Sequence, residues 1–367
     1  MKRLLVVAPE ICSPWTEGRK NLVRDLINEL SKKYELVLLT AQHGNDIDLP
    51  GCRQLTRHCR HPVCDLFHIW RQLPKLIKSF QPDGVLHFPY GSFRSIRGPA
   101  NSWIIRRVEK ACLDSGIKCL TILYSADKRS ALDKLSGKIT NLVVGPGSEW
   151  RGKTLDLGVN TGQWPNRPKR RPDNNRLLFM AGMWQPDLER LEHVIQRRGL
   201  GLLLQAGKRL SENGVHLTVA CPLLSSLHLR TALLTHRLNS WPEEMISLEP
   251  AVKVPDIYYA ADLFIFPYQA DIPVFRPTSV IEAMMAGTAT VLSDKPFLKR
   301  SMGVQGNAYW FRSDDQEDLA ATILTALKNP DGIEITACKA QAYASSHWAI
   351  SHTAGELIRL LEATNNG

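Results

Sequence analysis

Residues 255–294, PDIYYAADLFIFPYQADIPVFRPTSVIEAMMAGTATVLSD, constrain the fold more than any other stretch of the chain. AADLFIFPY is a short apolar run ending in proline, the pattern of a strand buried on both faces. After a loop, Pro277 followed by Thr278 and Ser279 opens a helix that runs through Met285, and Gly287 stops it. TATVLS is then the next strand. Strand, loop, helix and strand in this order imply parallel pairing and an α/β protein. A helix N-terminus leaves amides unpaired and carries partial positive charge, so Thr278, Ser279 and Val280 are read as anion-binding positions. Glu282, one turn further in, is placed to accept hydrogen bonds from a ribose.

The N-terminal half repeats the alternation. RLLVVA (3–8) reads as a buried strand, Gly18 precedes a helix with Leu22, Leu26 and Leu30 on one face, and ELVLLTA is a second strand. Gly84–Phe88 forms a strand that places His87 at its C-terminal end, before Pro89, Tyr90 and Gly91. That end of a parallel sheet is where α/β folds bind ligands, and a histidine there can position or deprotonate a hydroxyl. A satisfied structural histidine is the bland alternative. After a helix over 101–114, KCLTIL is a strand, and Tyr124 and Asp127 follow it on the same side as Tyr90. In the second half, RLLFM, VHLTVAC and ISLEPAV read as strands, 197–209 as a helix start and 315–328 as a helix.

Length and charge narrow the class. The chain has 367 residues, 44% hydrophobic and 22% charged, the profile of a globular protein of two or three domains. No apolar run reaches the ~18 residues that span a bilayer. The first apolar segment ends after about six residues at Pro9, too short for a secretory h-region. A cytoplasmic protein is expected, with its eight cysteines as free thiols. The net charge of +10 points to an anionic partner. Residues 51–80 hold six basic side chains against Asp65 alone, interleaved with Phe67, Ile69, Trp70, Leu73, Leu76, Ile77 and Phe80. This pattern suits docking on an anionic membrane surface. His58, Cys59, His61, Cys64 and His68 match no zinc-ligand spacing, so no metal site is assigned. Without an aromatic–basic RNA motif or a helix-turn-helix, nucleic-acid binding ranks last.

The stretch Glu282-Ala283-Met284 with Gly287, LDLGVNTGQWP at 155–165, and Trp348 before the final helix together resemble the retaining nucleotide-sugar glycosyltransferases of GT-B fold, glycosyl transferases group 1, family 4-like. The resemblance implies two Rossmann-like doubly wound domains facing a cleft. An acceptor domain would span 1–165, a Pro- and Arg-rich linker 166–175, a donor domain 176–346, and a helix over 347–367 would cross back to the first domain. It implies transfer of a sugar from a nucleoside-diphosphate sugar to a hydroxyl acceptor, with retention, no bound metal and no other cofactor. Gly18 would lie beside the donor, Gly182 would end the first donor-domain strand, and Tyr90, Tyr124 and Asp127 would face the acceptor.

Two departures bear on the mechanism. The family's first glutamate falls at Val274, and its arginine after Gly182 falls at Met183. Arg198-Gly199 stands where the family carries Lys-Gly, so Arg198 is the expected phosphate ligand, and Arg276 beside the helix N-terminus is a second cation. A degenerate relative that binds a nucleotide or partner without catalysis is the competing reading. A sugar epimerase is a variant of the enzyme reading.

Overall fold

The structure, a computed structural model, describes residues 1–8, 18–42, 49, 51–58, 62–89, 98–123, 138–144, 153–156, 158–164, 175–181, 192–221, 241–250, 254–270, 277–302 and 306–363. The chain divides into two units: one holds Met1–Gly158 and resumes at Ile350, the other holds Val159–Ile272 and Arg276–Ala349.

The first unit contains strands β1 (Lys2–Val7), β2 (Tyr34–Gln42), β3 (Cys52–His58), β4 (Gly84–His87), β5 (Lys118–Leu123), β6 (Ile139–Val144) and β7 (Lys153–Leu155). Among the described residues they form one sheet in the order β3-β2-β1-β4-β5-β6-β7, every pair parallel. Parallel neighbours need crossovers, supplied by α1 (Gly18–Leu30), α2 (Pro62–Phe80) and α3 (Gly98–Asp114). α1 buries Leu22, Leu26 and Leu30, as their spacing predicts, each worth about 2 kcal/mol of burial. α2 and α3 cover one sheet face with Ile69, Leu73, Ile77, Ile104, Val108 and Cys112. The helix Ile350–Glu362 packs beside α1 and β5. Its Leu361 occupies the space over Gly84, where a Cβ would stand 2.9 Å from Leu361 Cδ2. Thr353 Oγ1 donates to Asp156 O (2.9 Å) and Lys2 Nζ pairs with Glu362 Oε1 (2.9 Å).

Register aligns Leu39, Val7, His87, Thr121 and Asn141 in one row across five strands. The preceding row on the same face, Val37, Leu5, Val85, Cys119 and Ile139, is apolar throughout. The core therefore turns polar toward the C-terminal ends of the strands. His87 is fully buried, and among the described residues neither ring nitrogen has a hydrogen-bond partner.

The second unit contains β8 (Arg176–Met180), β9 (His216–Cys221), β10 (Ile246–Pro250), β11 (Leu263–Phe266), β12 (Ala289–Ser293) and β13 (Tyr309–Phe311). Among the described residues these pair in parallel in the order β10-β9-β8-β11-β12-β13. Its helices are α4 (Leu200–Gln205), α5 (Gly207–Ser211), α6 (Val254–Tyr259), α7 (Thr278–Met285), α8 (Pro296–Met302), α9 (Gln316–Leu327) and α10 (Pro330–His347), and Ile350–Glu362 of the first unit is α11. Leu177, Phe179, Leu203, Val219, Ile265 and Val291 lie in the core. Val159 belongs to this unit, its amide donating to Trp348 O at 2.8 Å, and Trp164 is buried with it.

Several elements depart from the sequence reading. β3 is an additional edge strand inside the basic segment. Its CRQLTRH lacks apolar alternation, and charged edge strands resist pairing with other chains. The predicted helix start at 197–209 is two short helices behind a π-turn at His193–Arg197. Ile69, Leu73 and Ile77 of the basic segment lie in the core rather than on a free apolar face. The segment 166–174 and the side chains of His58, His61, Cys64, Phe67 and His68 lie outside the described residues, as does Cys59. Among the described residues no helix is long and apolar enough to cross a membrane.

Burial alone pushes the His87 imidazole from its usual 6.5 to about 3. Between those values the unfolded chain binds a proton that the folded chain refuses, so stability falls as pH drops from 6.5 toward 3. His87→Leu removes this component. In urea titrations at about pH 7 and about pH 4.5, its unfolding free energy should drop less than the wild type's, by about 2–3 kcal/mol.

Candidate functional site

The site is built at the C-terminal edge of the second sheet, from β11, α6, α7 and the turn before α4. α7 begins at Pro277, which holds φ −66° and ψ 119° as N-cap and offers no side chain to the helix amides. Val280 N and Ile281 N turn back to Pro277 O (3.0 and 3.2 Å). Thr278 and Ser279, both partly exposed, carry the two amides that precede the first such bond. Val280 is fully buried with its amide engaged, so its side chain serves packing. Met284, Met285 and Ile281 anchor the helix in the core. At its end, Gly287 N donates to Met284 O and Thr288 N to Ala283 O, the paired bonds of a Schellman stop.

Tyr258 of α6 joins this helix to its surroundings. Its hydroxyl donates to Ser279 O (2.9 Å) and lies 3.2 Å from Glu282 Oε2, one hydrogen shared between two acceptors. Its carbonyl accepts from Thr288 Oγ1 at 2.9 Å. Its ring packs edge-on to Trp164 (5.7 Å) and against Phe264 (5.5 Å). Burial first, then the Glu282 carboxylate, push the phenol well above its usual value, so it remains a donor.

Arg198 approaches from the other side of the strand end. The π-turn closes with Arg198 N donating to His193 O at 3.0 Å, a geometry frequent at functional sites. Gln269 N then donates to Arg197 O at 2.9 Å, tying the turn to the segment after β11. Gly199 sits at φ +82°, and a Cβ there would fall 1.7 Å from Pro267 O. Only glycine lets the turn lie this close to the strand end. Burial lowers the Arg198 pKa from its ordinary value, while Tyr268 and Tyr258 act in the opposite direction. Arg198 has no carboxylate partner among the described residues. A partly buried cation without a carboxylate beside it favours an incoming anion. The lowered His193 pKa follows from burial and then from the charges of Arg198 and Arg197.

The structure thus gathers Arg198, Thr278, Ser279 and Glu282 in one unit, around Tyr258, which the sequence reading does not single out. The signal was the IYYAAD run, with Tyr258 four residues before Asp262. Gly18 opens α1 in the first unit, and His87 lies within that unit's core. Arg276, Gly182, Tyr90, Tyr124 and Asp127 lie outside the described residues, with Val274 and Met183.

The family model of the glycosyl transferases group 1 matches residues 188–329, the span that contains Arg198, Tyr258 and Glu282. Over residues 188–329 the chain is similar to the group 1 glycosyltransferases. Solved structures extend the likeness over the whole chain. Sucrose-phosphate synthase from Thermosynechococcus elongatus superposes with TM-score 0.69 at 15% identity, covering 98% of this chain and 99% of that one. HepE from Anabaena, solved in complex with UDP-glucose, gives 0.67 at 13% identity over 99% and 100%. The lipopolysaccharide glycosyltransferase WaaG gives 0.62 at 10% identity over 98% and 100%. The fold is GT-B, with two Rossmann-like units. No curated protein sequence matches the chain significantly.

Two substitutions probe how this site is assembled. Gly199→Ala should lower stability by about 3 kcal/mol or more in urea unfolding, because the new methyl meets a backbone carbonyl. Tyr258→Phe keeps the ring contacts and removes the hydroxyl, and should cost about 1–2 kcal/mol in the same measurement.

Proposed function

We propose that the protein moves a sugar from a nucleoside-diphosphate sugar to a hydroxyl acceptor, with retention of configuration and without a bound metal. The observation that carries this reading is Arg198, a partly buried guanidinium with no carboxylate partner among the described residues, in electrostatic range of Tyr258. Tyr258 in turn is bonded to the first turn of α7 and close to Glu282. In this reading Glu282 accepts hydrogen bonds from the ribose, while Thr278, Ser279 and their amides hold the diphosphate. Arg198, with Arg276, stabilises the negative charge that grows on the diphosphate as the glycosidic bond breaks. Gly18 and Gly182 leave room for the donor, and Tyr90, Tyr124 and Asp127 receive the acceptor.

His87 belongs to the acceptor side as a neutral hydrogen-bonding group, since an imidazole with a pKa of about 3 is a poor base near neutrality. The complexes of HepE with UDP-glucose and with UDP support testing a uridine nucleotide first. The reading keeps the protein in the cytoplasm. Val274 and Met183, where the resemblance places a glutamate and an arginine, favour a second reading in which the chain binds the nucleotide without turning it over.

Calorimetry and thermal shift with UDP, GDP and ADP, in buffer containing EDTA, test the donor site. One nucleotide at a hundred times its dissociation constant should stabilise the wild type by about 2.7 kcal/mol. Glu282→Ala and Arg198→Ala should each weaken that nucleotide about ten- to a hundredfold, the loss of one or two charged hydrogen bonds. Unchanged binding in both variants refutes the assignment. Release of free sugar or glycoside from the matching nucleotide-sugar separates enzyme from binding protein.

A further inference from the structure

Helices α2 and α3 of the first unit carry a surface that the donor reading does not use. Arg71, Lys75 and Lys78 are exposed at positions i, i+4 and i+7 of α2, a stripe about 10 Å long. Arg106 and Arg107 are exposed on α3, which packs against α2. Trp70 and Trp103 meet where the helices touch, with ring centres 5.4 Å apart and planes at 64°. The Arg107 guanidinium lies over both indoles, 5.8 Å from Trp70 and 5.3 Å from Trp103. Among the described residues none of these five cations has a carboxylate partner, whereas Lys110 on the same helix pairs with Asp114 at 3.0 Å.

We propose that this face docks on an anionic phospholipid surface, by charge and without inserting a helix. The apolar side of α2, Ile69, Leu73 and Ile77, is committed to the core, so among the described residues no apolar face of this helix is left to enter the acyl region. The cations are exposed and spread over two helices that pack together, which matches a plane of headgroups better than one bound phosphate. A single-stranded nucleic acid would need open aromatic faces to stack on. Here the indoles face one another edge-on and are capped by Arg107. Indoles flanked by Lys and Arg suit the headgroup layer, where an amphipathic ring meets both water and lipid. The docking residues thus come from α3 as well as from the basic segment at 51–80, and the proposal stands whichever nucleotide the second unit binds.

The test is co-sedimentation of the full chain with vesicles of phosphatidylcholine alone or mixed with phosphatidylglycerol. The protein should partition onto the mixed vesicles, leave them as salt is raised, and ignore neutral ones. Each basic residue near the surface contributes about a fivefold factor, so the triple variant Arg71→Gln/Lys75→Gln/Lys78→Gln should bind about a hundredfold more weakly. Arg106→Gln should lose about fivefold. All four side chains are exposed, and unchanged thermal midpoints confirm that the variants fold. Equal binding to neutral vesicles, no binding to either, or a triple variant that binds like the wild type overturns the proposal. So does tighter retention of a random oligonucleotide than of vesicles, which would assign the face to nucleic acid.

Discussion

The hydroxyl of Tyr258 is the point on which the candidate site turns. A phenol buried between Trp164 and Phe264 has to place its hydrogen within the protein, and the acceptors within reach belong to α7. Through that one group α6 is tied to Ser279 and to the carboxylate of Glu282. Through its carbonyl it is also tied to Thr288, just past the end of α7. Both ends of an eight-residue helix are thereby referenced to a single residue, one through its hydroxyl and the other through its backbone carbonyl. A short helix has little intrinsic stability, and the positions of its first-turn amides and its carboxylate are set by such external fixtures. Arg198 completes the arrangement from the opposite flank, held by contact between the Gly199 backbone and Pro267 O.

The two units share a topological logic. In each, the strand order reverses beside the first strand, between β1 and β4 in one sheet and between β8 and β11 in the other. Loops leave for opposite faces at such a point, and the carboxyl ends of the strands are left accessible to ligands. β4 ends there in His87 and β11 ends there against the Arg198–Gly199 turn. The fixtures differ in chemistry. The first unit turns polar inside its core with neutral groups, His87, Thr121 and Asn141. The second unit places a cation, a carboxylate and helix amides at its edge.

What was legible in the sequence follows from how strongly local chemistry signals its neighbours. β11, α7 and β12 announce themselves because a buried apolar strand, a Pro-Thr-Ser helix start and a glycine stop are each encoded within a few residues. Arg198 was legible through the glycine that follows it. Tyr258 was not, because its importance lies in a contact across 24 residues to Glu282, which no local pattern encodes. β3 escaped because an edge strand with Arg53 and Arg57 has no apolar alternation. α10 escaped because its PDGIEITACKAQAYASSH is rich in small residues and weakly amphipathic. The burial of Ile69, Leu73 and Ile77 shows the limit of reading amphipathicity alone. The pattern says that a helix has an apolar side, and only the sheet beneath says what covers it.

The return of α11 to the first unit has a consequence for the order of events on the ribosome. Gly84 keeps a space for Leu361, and Lys2 and Tyr34 wait for Glu362. At ordinary elongation rates the roughly 190 residues between Gly158 and Ile350 take about 10–40 s to emerge. For that interval the first unit lacks α11, the helix that covers Gly84, while the second is synthesised without interruption by it. Of the two units, the one begun first is therefore the one finished last. Until α11 arrives, the space over Gly84 that Leu361 fills stays uncovered.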